Sequence, residues 1–211
     1  MTSDTRMSGR QPAMPEGDRR GLILQAAENV FAREGFGAAT MEEIARECGM
    51  AKKTLYRFFP DKLALFSALI ESHDNPRFPW ADKSEAVLRP EKDLRSLLVE
   101  LAQFVLSPRQ IRLTRLVISE AHKTPELARR FYEECLVKNR AIVAAQIAGN
   151  CNVPATIGVD SIAIADTFVG STLGILQLKA LMLDLDHDAI ERELQDRVTA
   201  TLAVFGVAAS P

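Results

Sequence analysis

Residues 40–62 read TMEEIARECGMAKKTLYRFFPDK. Thr40 stands three residues ahead of Glu43, the spacing of a capping box, in which hydroxyl and carboxylate each accept from the other residue's backbone N–H. The helix opened there puts Met41, Ile44, Ala45 and Cys48 on one face. Gly49 then permits a tight turn. A third short helix, from about Ala51 to Phe58, points Leu55 inward. A helix, a glycine turn and a helix, apolar at Ile44, Ala45, Cys48 and Leu55, is the pattern that packs two short helices at a steep angle. In a helix-turn-helix the second helix lies in the major groove, and its first residues reach base edges. Those residues are Lys52, Lys53 and Thr54. Lysine can bond guanine O6 and N7, and threonine offers a hydroxyl and a methyl to thymine. Tyr56, Arg57 and Lys62 stand where they could bond phosphates, and Thr40 completes the candidate DNA contacts. A solvated basic face on a small helical hairpin has the same pattern.

The charge of this segment is local. The 211-residue chain has a formal net charge of −2, which argues against a histone-like or tail-driven nucleic-acid binder. Between Gly49 and Lys62, however, Lys52, Lys53, Arg57 and Lys62 face Asp61 alone. A basic patch on a near-neutral chain suits a compact module that meets phosphates at one face. Upstream, Met1 to Gly17 are rich in Ser, Pro, Gly and Thr without periodicity, and are expected to form a flexible arm. Asp18 is the expected N-cap of the first helix, where Leu22, Ile23, Ala26, Ala27, Val30 and Phe31 recur at helical spacing. Gly35 stops it, because glycine reaches the left-handed conformation of a C-terminal cap at no steric cost. Downstream, Asp61 caps a fourth helix with an inner face of Leu65, Phe66, Leu69 and Ile70.

Pro76, Pro79 and Pro90 make the stretch from Asp74 to Pro90 a loop or a frayed helix end. Longer helices follow. Pro90 opens one carrying Leu94, Leu97, Leu98, Leu101, Phe104 and Val105. Ser107-Pro108-Arg109-Gln110 is a second capping box, with proline at the first helical position. Thr124-Pro125-Glu126 starts a helix to about Ala148, and Gly149 to Gly158 form a loop. The next helix reaches about Leu183. Its Asp166, Thr167, Ser171, Thr172, Gln177 and Lys179 are too polar for a membrane span, so it reads as buried on more than one side. The last begins near Asp186 and carries Ile190, Leu194, Val198, Leu202 and Phe205. No stretch alternates with period two. The fold class is therefore all-α, with about nine helices.

Apolar residues make up 47% and charged residues 26%, the balance of a soluble globular protein. Cys48, Cys135 and Cys151 are odd in number and form no C-x-x-C, so they read as reduced thiols in a cytosolic protein. Cys135 and Cys151 could sense redox state, but buried free cysteine is mostly inert packing. His73, His122 and His187 are scattered, which argues against a metal site. There is no G-x-S-x-G, Walker A, H-E-x-x-H or Rossmann glycine pattern. The expectation is no enzyme and no cofactor. The absence of an apolar stretch near Met1 predicts no signal peptide and a cytoplasmic location. A helical carrier without DNA affinity is the alternative class. His122, Asn139, Gln146 and Asp166 read as satisfied rim residues on apolar helices, and Phe78 and Trp80 as cover for a core edge. Gly170, Ser171 and Gly174 would let another helix approach, from the same chain or from a second subunit.

The segment TMEEIARECGMAKKTLYRFFPDKLALFSALI, residues 40–70, resembles the N-terminal domain of the TetR/AcrR family of bacterial regulators. That family's pattern is met at Thr40, Ile44, Ala45, Gly49, Thr54, Leu55, Tyr56, Phe59, Lys62 and Leu65. The preceding ILQAAENVFAREGFGAAT is in register through Ala26, Ala27, Phe31, Gly35, Phe36 and Thr40. Met50 and Ala51 depart from it, standing where the family usually has Val and Ser. Ala51 cannot cap the recognition helix through a side chain. IRLTRLVISEAHKTPELARRFYEE, residues 111–134, resembles the C-terminal domain of AefR-like repressors.

The chain is thus expected to divide into a flexible arm at 1–17, a helix-turn-helix DNA-binding domain at 18–62 and a remainder at 63–211, which the resemblance implies is a ligand-binding and dimerising domain of five or six helices. The resemblance also implies that the last two helices of each subunit build a four-helix interface. Phe168, Leu173, Leu176, Leu194, Val198, Leu202 and Phe205 are the expected contacts there. The apolar excess after Pro90 predicts an internal cavity walled by Leu97, Leu101, Phe104, Leu113, Leu116, Val117, Phe131, Cys135 and Phe168. The expected protein is a repressor that holds a palindromic operator as a homodimer and is released by a small hydrophobic ligand. The fourth helix is the expected mechanical route.

Overall fold

The computed structural model describes residues 14–71, 94–137, 140–141, 143–145, 160–183 and 187–205. They form α1 (Glu16–Ala38), α2 (Met41–Glu47), α3 (Lys52–Phe58), α4 (Lys62–Glu71), α5 (Leu94–Val105), α6 (Pro108–Glu120) and α7 (Pro125–Phe131). A π-helical segment (Tyr132–Val137), α8 (Ser161–Met182) and α9 (His187–Val204) follow. No strand occurs among the described residues. The expected loops at Asp74 to Pro90 and Gly149 to Gly158 lie outside them, as do His73, Phe78, Trp80, Asn139, Gln146 and Cys151.

The helix ends follow local chemistry. α1 begins at Glu16, two residues before the expected cap at Asp18; Pro15 is its N-cap, and Glu16 and Asp18 both lie in the first turn. Acidic side chains there favour the positive end of the helix dipole. Gly35 breaks α1 at φ 78°, and one further turn carries it to Ala38. The Thr40 box is complete. Ser107 accepts from the Gln110 N–H, but the Gln110 side chain reaches Cys135 instead of returning to the cap. Asp61 accepts from the Ala64 N–H at 2.7 Å.

Two apolar clusters organise the molecule. The first joins α1 to α4: Ile23, Val30, Phe31, Ile44, Leu55, Leu65, Phe66 and Leu69 are buried together. Rings of Phe31, Phe36 and Phe66 meet at 5.2 to 6.2 Å between centroids. Leu113 and Val117 of α6, Leu127 and Phe131 of α7, and Cys135 of the π segment belong to the same cluster. The second unites α5, α8 and α9 through Leu98, Leu101, Ala165, Phe168, Leu176, Leu194 and Val198.

α8 is not buried all round. Phe168, Thr172, Leu173 and Leu176 face the core, whereas Thr167, Gly170, Ser171, Gly174, Ile175, Leu178 and Met182 are exposed along the opposite side. By length and composition alone this helix is apolar enough to cross a membrane, with an 18-residue stretch of mean hydropathy 1.4, a property that core helices of soluble proteins share.

Candidate nucleic-acid interface and ligand cavity

α2 closes in a Schellman motif. The Met50 N–H donates to Ala45 O at 2.9 Å and the Gly49 N–H to Arg46 O at 3.2 Å, with Gly49 at φ 65°. That geometry needs a left-handed residue, which glycine supplies without strain. The turn drops α3 across α2 with Leu55 fully buried against Ile44 and Ala45. Lys52, Lys53, Tyr56 and Arg57 consequently point outward and Thr54 is half-buried. Lys52 is ion-paired with Glu42 of α2 and lies 5.8 Å from the centre of the Tyr56 ring. The hydrogen bond between the two holds the Glu42 carboxyl below its usual range and lifts the Lys52 ammonium above its own. Arg57 stacks on Phe58 at 5.3 Å. Lys53 is exposed and has no ion pair among the described residues.

Lys62 occupies a different place. Its ammonium donates to three backbone oxygens, of Phe36 at 2.5 Å, Gly37 at 3.0 Å and Ala39 at 2.8 Å. It also sits 4.7 Å from the Phe36 ring centre. All three N–H groups are engaged, which leaves no donor for a phosphate. Burial lowers its pKa, against the pull of Glu120 and Glu43. Lys62 is thus a staple on the α1–α2 connection, and the phosphate contact expected of it is corrected. Glu120, buried at the end of α6, grips the same connection from the other side by accepting from the Gly37 N–H at 3.1 Å.

Between α5, α6, α7, the π segment and α8 lies a cavity of about 570 Å³. Its wall is mainly apolar, including Leu101, Phe104, Val117, Phe131, Val143 and Val169. Gln110, Thr114, Tyr132, Gln177, Arg140 and Asp166 also reach it. Arg140 and Asp166 form a two-point ion pair from the 140–141 stretch to α8, and the hydrogen bond raises the Arg140 pKa. A cavity of this size and character is typical of small-molecule sites. π-helical turns often accompany such sites.

Residues 92–208 match the family model of the AefR-like transcriptional repressor C-terminal domain, and residues 23–69 match that of bacterial regulatory proteins of the tetR family. The chain belongs to the TetR family. Members of that family are DNA-binding transcriptional regulators and not enzymes. The chain is 43% identical over 60 residues to the HTH-type transcriptional activator FasR of Mycolicibacterium smegmatis, covering 28% of this chain and 27% of that one. It is 30% identical over 139 residues to an HTH-type transcriptional regulator of Mycobacterium bovis, covering 64% and 66%. The matched stretch thus spans less than two thirds of either relative. Among solved structures, a TetR-family regulator from Mesorhizobium loti aligns with a TM-score of 0.71 at 27% identity, covering 89% of this chain and 96% of that one. The flavonoid-responsive regulator FrrA aligns at 0.64 and 28%, covering 89% and 97%.

In this TetR-family chain, five expected wall residues line the cavity: Leu101, Phe104, Val117, Phe131 and Cys135. Four do not. Leu97 and Phe168 are consumed in the α5–α8–α9 core, where Phe168 stacks on Phe205 at 4.5 Å. Leu113 and Leu116 turn toward the α1–α4 cluster. Helical spacing identifies an apolar face but not which of two neighbouring cores it serves. The same limit corrects the expected subunit contacts: Phe168, Leu173, Leu176, Leu194, Val198 and Leu202 are buried within the chain. The polar wall residues Gln110, Thr114 and Gln177 were missed. Their signal was a polar side chain on an otherwise apolar helix face.

Proposed function

We propose that the protein is a cytoplasmic repressor that binds a near-palindromic operator as a homodimer and is released by a small, mainly apolar ligand. The observation that carries this reading is the pairing of an outward-facing cationic α3 with a cavity whose wall includes α6. The candidate readers are Lys52, Lys53 and Thr54. Tyr56 and Arg57 are the candidate phosphate contacts, whereas the hydroxyl and N–H of Thr40 both already donate to the Glu43 carboxylate, which corrects the DNA contact expected of Thr40. Lys53 is the first of the cations to consider, because it need not break an ion pair to reach DNA. One such helix buries little surface, so two heads placed about 34–36 Å apart are needed to read successive major grooves.

The exposed face of α8 supports a subunit interface. Gly170, Ser171 and Gly174 allow close approach, and Ile175, Leu178 and Met182 offer apolar area. The flavonoid response in the name of FrrA supports an apolar, ring-bearing ligand class here.

The route from cavity to DNA head runs through α6 as well as α4. One face of α6 gives Gln110, Thr114 and Val117 to the cavity. The other gives Arg109, which donates to Glu28 at 2.8 Å and to Leu69 O at 3.1 Å, and Glu120 on Gly37. α4 packs on α7 and the π segment. A ligand that prefers one arrangement of these helices shifts operator affinity by its differential affinity, commonly about 5–150-fold.

The test is selection of an operator from random duplexes, followed by titration of Lys53→Ala and Thr54→Ala. Loss of one base contact should weaken the selected site by about 1–3 kcal/mol and relax the preference at one position. Unchanged affinity in both variants and in Lys52→Ala would remove α3 as the reader.

A further inference from the structure

The ligand reading can be narrowed by one buried side chain. Gln110 is 6% exposed and lines the cavity. Among the described residues its carboxamide makes one hydrogen bond, a long one from Nε2 to Cys135 Sγ at 3.9 Å. A sulfur acceptor is weak, and the carboxamide oxygen has no hydrogen bond to any described residue. The oxygen is therefore free to accept from a ligand in the cavity, and a ligand that meets both ends of the amide gains a hydrogen bond that an apolar one does not. Thr114 lies one helical turn further along α6, on the same wall. Its hydroxyl donates to Gln110 O at 2.8 Å, so it has only acceptor capacity to offer.

The charges on the wall are already matched. Arg140 and Asp166, both half-exposed, are paired in two places on the cavity wall. A carboxylate ligand would have to compete with Asp166 for Arg140 and would lie beside a second carboxylate of like charge. A pure hydrocarbon would fill the volume and leave the Gln110 amide unmet. An uncharged hydroxyl satisfies both sides of that amide, donating to the oxygen while accepting from the N–H₂ group.

We infer that this cavity takes an uncharged, hydroxyl-bearing hydrophobe, a phenol or comparable alcohol, anchored by Gln110. The inference rests on the cavity being the ligand site proposed above. Because Gln110 belongs to α6, the anchor sits on the helix that grips the DNA-binding head.

Three probes of one shape test it on the full-length protein by calorimetry: 4-phenylphenol, biphenyl and biphenyl-4-carboxylate. The phenol should bind about three- to tenfold more tightly than biphenyl, and the carboxylate most weakly. Gln110→Leu should abolish the preference for the phenol while leaving biphenyl binding in place, which also reports a folded cavity. Gln110→Met, with an unbranched side chain of similar length, is the second variant and should behave alike. A phenol-to-biphenyl ratio unchanged in both variants overturns the anchor. Tightest binding by the carboxylate overturns the uncharged class and points to Arg140. If none of the three binds, the cavity is no site for ligands of this shape and the ligand reading falls with the inference.

Discussion

Single side chains in the DNA-binding head divide into those that face solvent and those that hold the head together, and charge alone does not sort them. Lys62 looks in sequence like one more cation of a basic patch, yet its ammonium is spent on three carbonyl groups. Lys62→Ala should therefore lower stability by about 1–3 kcal/mol, the scale of lost charge-assisted hydrogen bonds, read as a lower urea midpoint. Its salt slope for DNA binding should match the wild type once compared under folding conditions, whereas loss of a phosphate contact reduces the slope by about one.

Glu43 gives a pH signature at the same scale. The Thr40 hydroxyl and backbone N–H both donate to its carboxylate, at 2.8 and 2.9 Å, and these bonds hold its pKa below the usual range. A carboxyl whose pKa is depressed in the folded state contributes stability above its unfolded pKa of about 4.3, lost as pH falls through the folded value. Between pH 6 and pH 3 the melting temperature of the wild type should fall more steeply than that of Glu43→Gln. Parallel curves would show that the capping box adds nothing pH-dependent.

At the scale of helices, α6 packs against both α1 and α8. Arg109 and Glu120 fasten its two ends to the DNA-binding head, and Arg115 donates to the oxygens of Ala180, Leu181 and Leu183 at the end of α8. The Glu120 contact can be isolated because Gly37 has no side chain: a Cβ there would stand 2.8 Å from a Glu120 carboxylate oxygen. Gly37→Ala should cost about 1–2 kcal/mol in the wild type through the lost hydrogen bond. In a Glu120→Ala background it should cost nothing or stabilise, because alanine is the better helix former. Additive effects in the double-mutant cycle would mean that the two residues do not communicate.

Little of this network was legible in the sequence. The capping box, the glycine turn and the inward Leu55 follow from spacing of three to four residues, and each stands as expected. Arg109–Glu28 and Gly37–Glu120 join residues 81 and 83 positions apart, a separation that helical periodicity does not address. The misassigned Leu97, Leu113, Leu116 and Phe168 have the same origin. Each lies on an apolar helix face, but the packing of several helices decides whether that face meets a cavity or a core.

For the molecule as a whole, the exposed side of α8 is the feature that a single chain does not explain. Ile175 is 42% exposed, Leu178 49% and Met182 73%, on the same face as Gly170, Ser171 and Gly174. A Cβ added at Gly170 or Gly174 would meet nothing within 4 Å. Intrachain packing therefore does not require glycine at either position, and two exposed glycines within one helix each cost about 1 kcal/mol relative to alanine. A second subunit approaching closely along this face gives them a use. The two readings predict opposite outcomes for Gly174→Leu. If the face meets only solvent, the substitution should raise the melting temperature and leave the sedimentation behaviour unchanged. If it is the subunit interface, the added side chain should keep the helices apart, shift a micromolar sample from dimer to monomer, and weaken operator binding by removing one of the two heads. The second outcome is expected, with the circular dichroism spectrum of a folded helical protein retained. Wild-type sedimentation as a monomer, alone and on DNA, would end the homodimer reading.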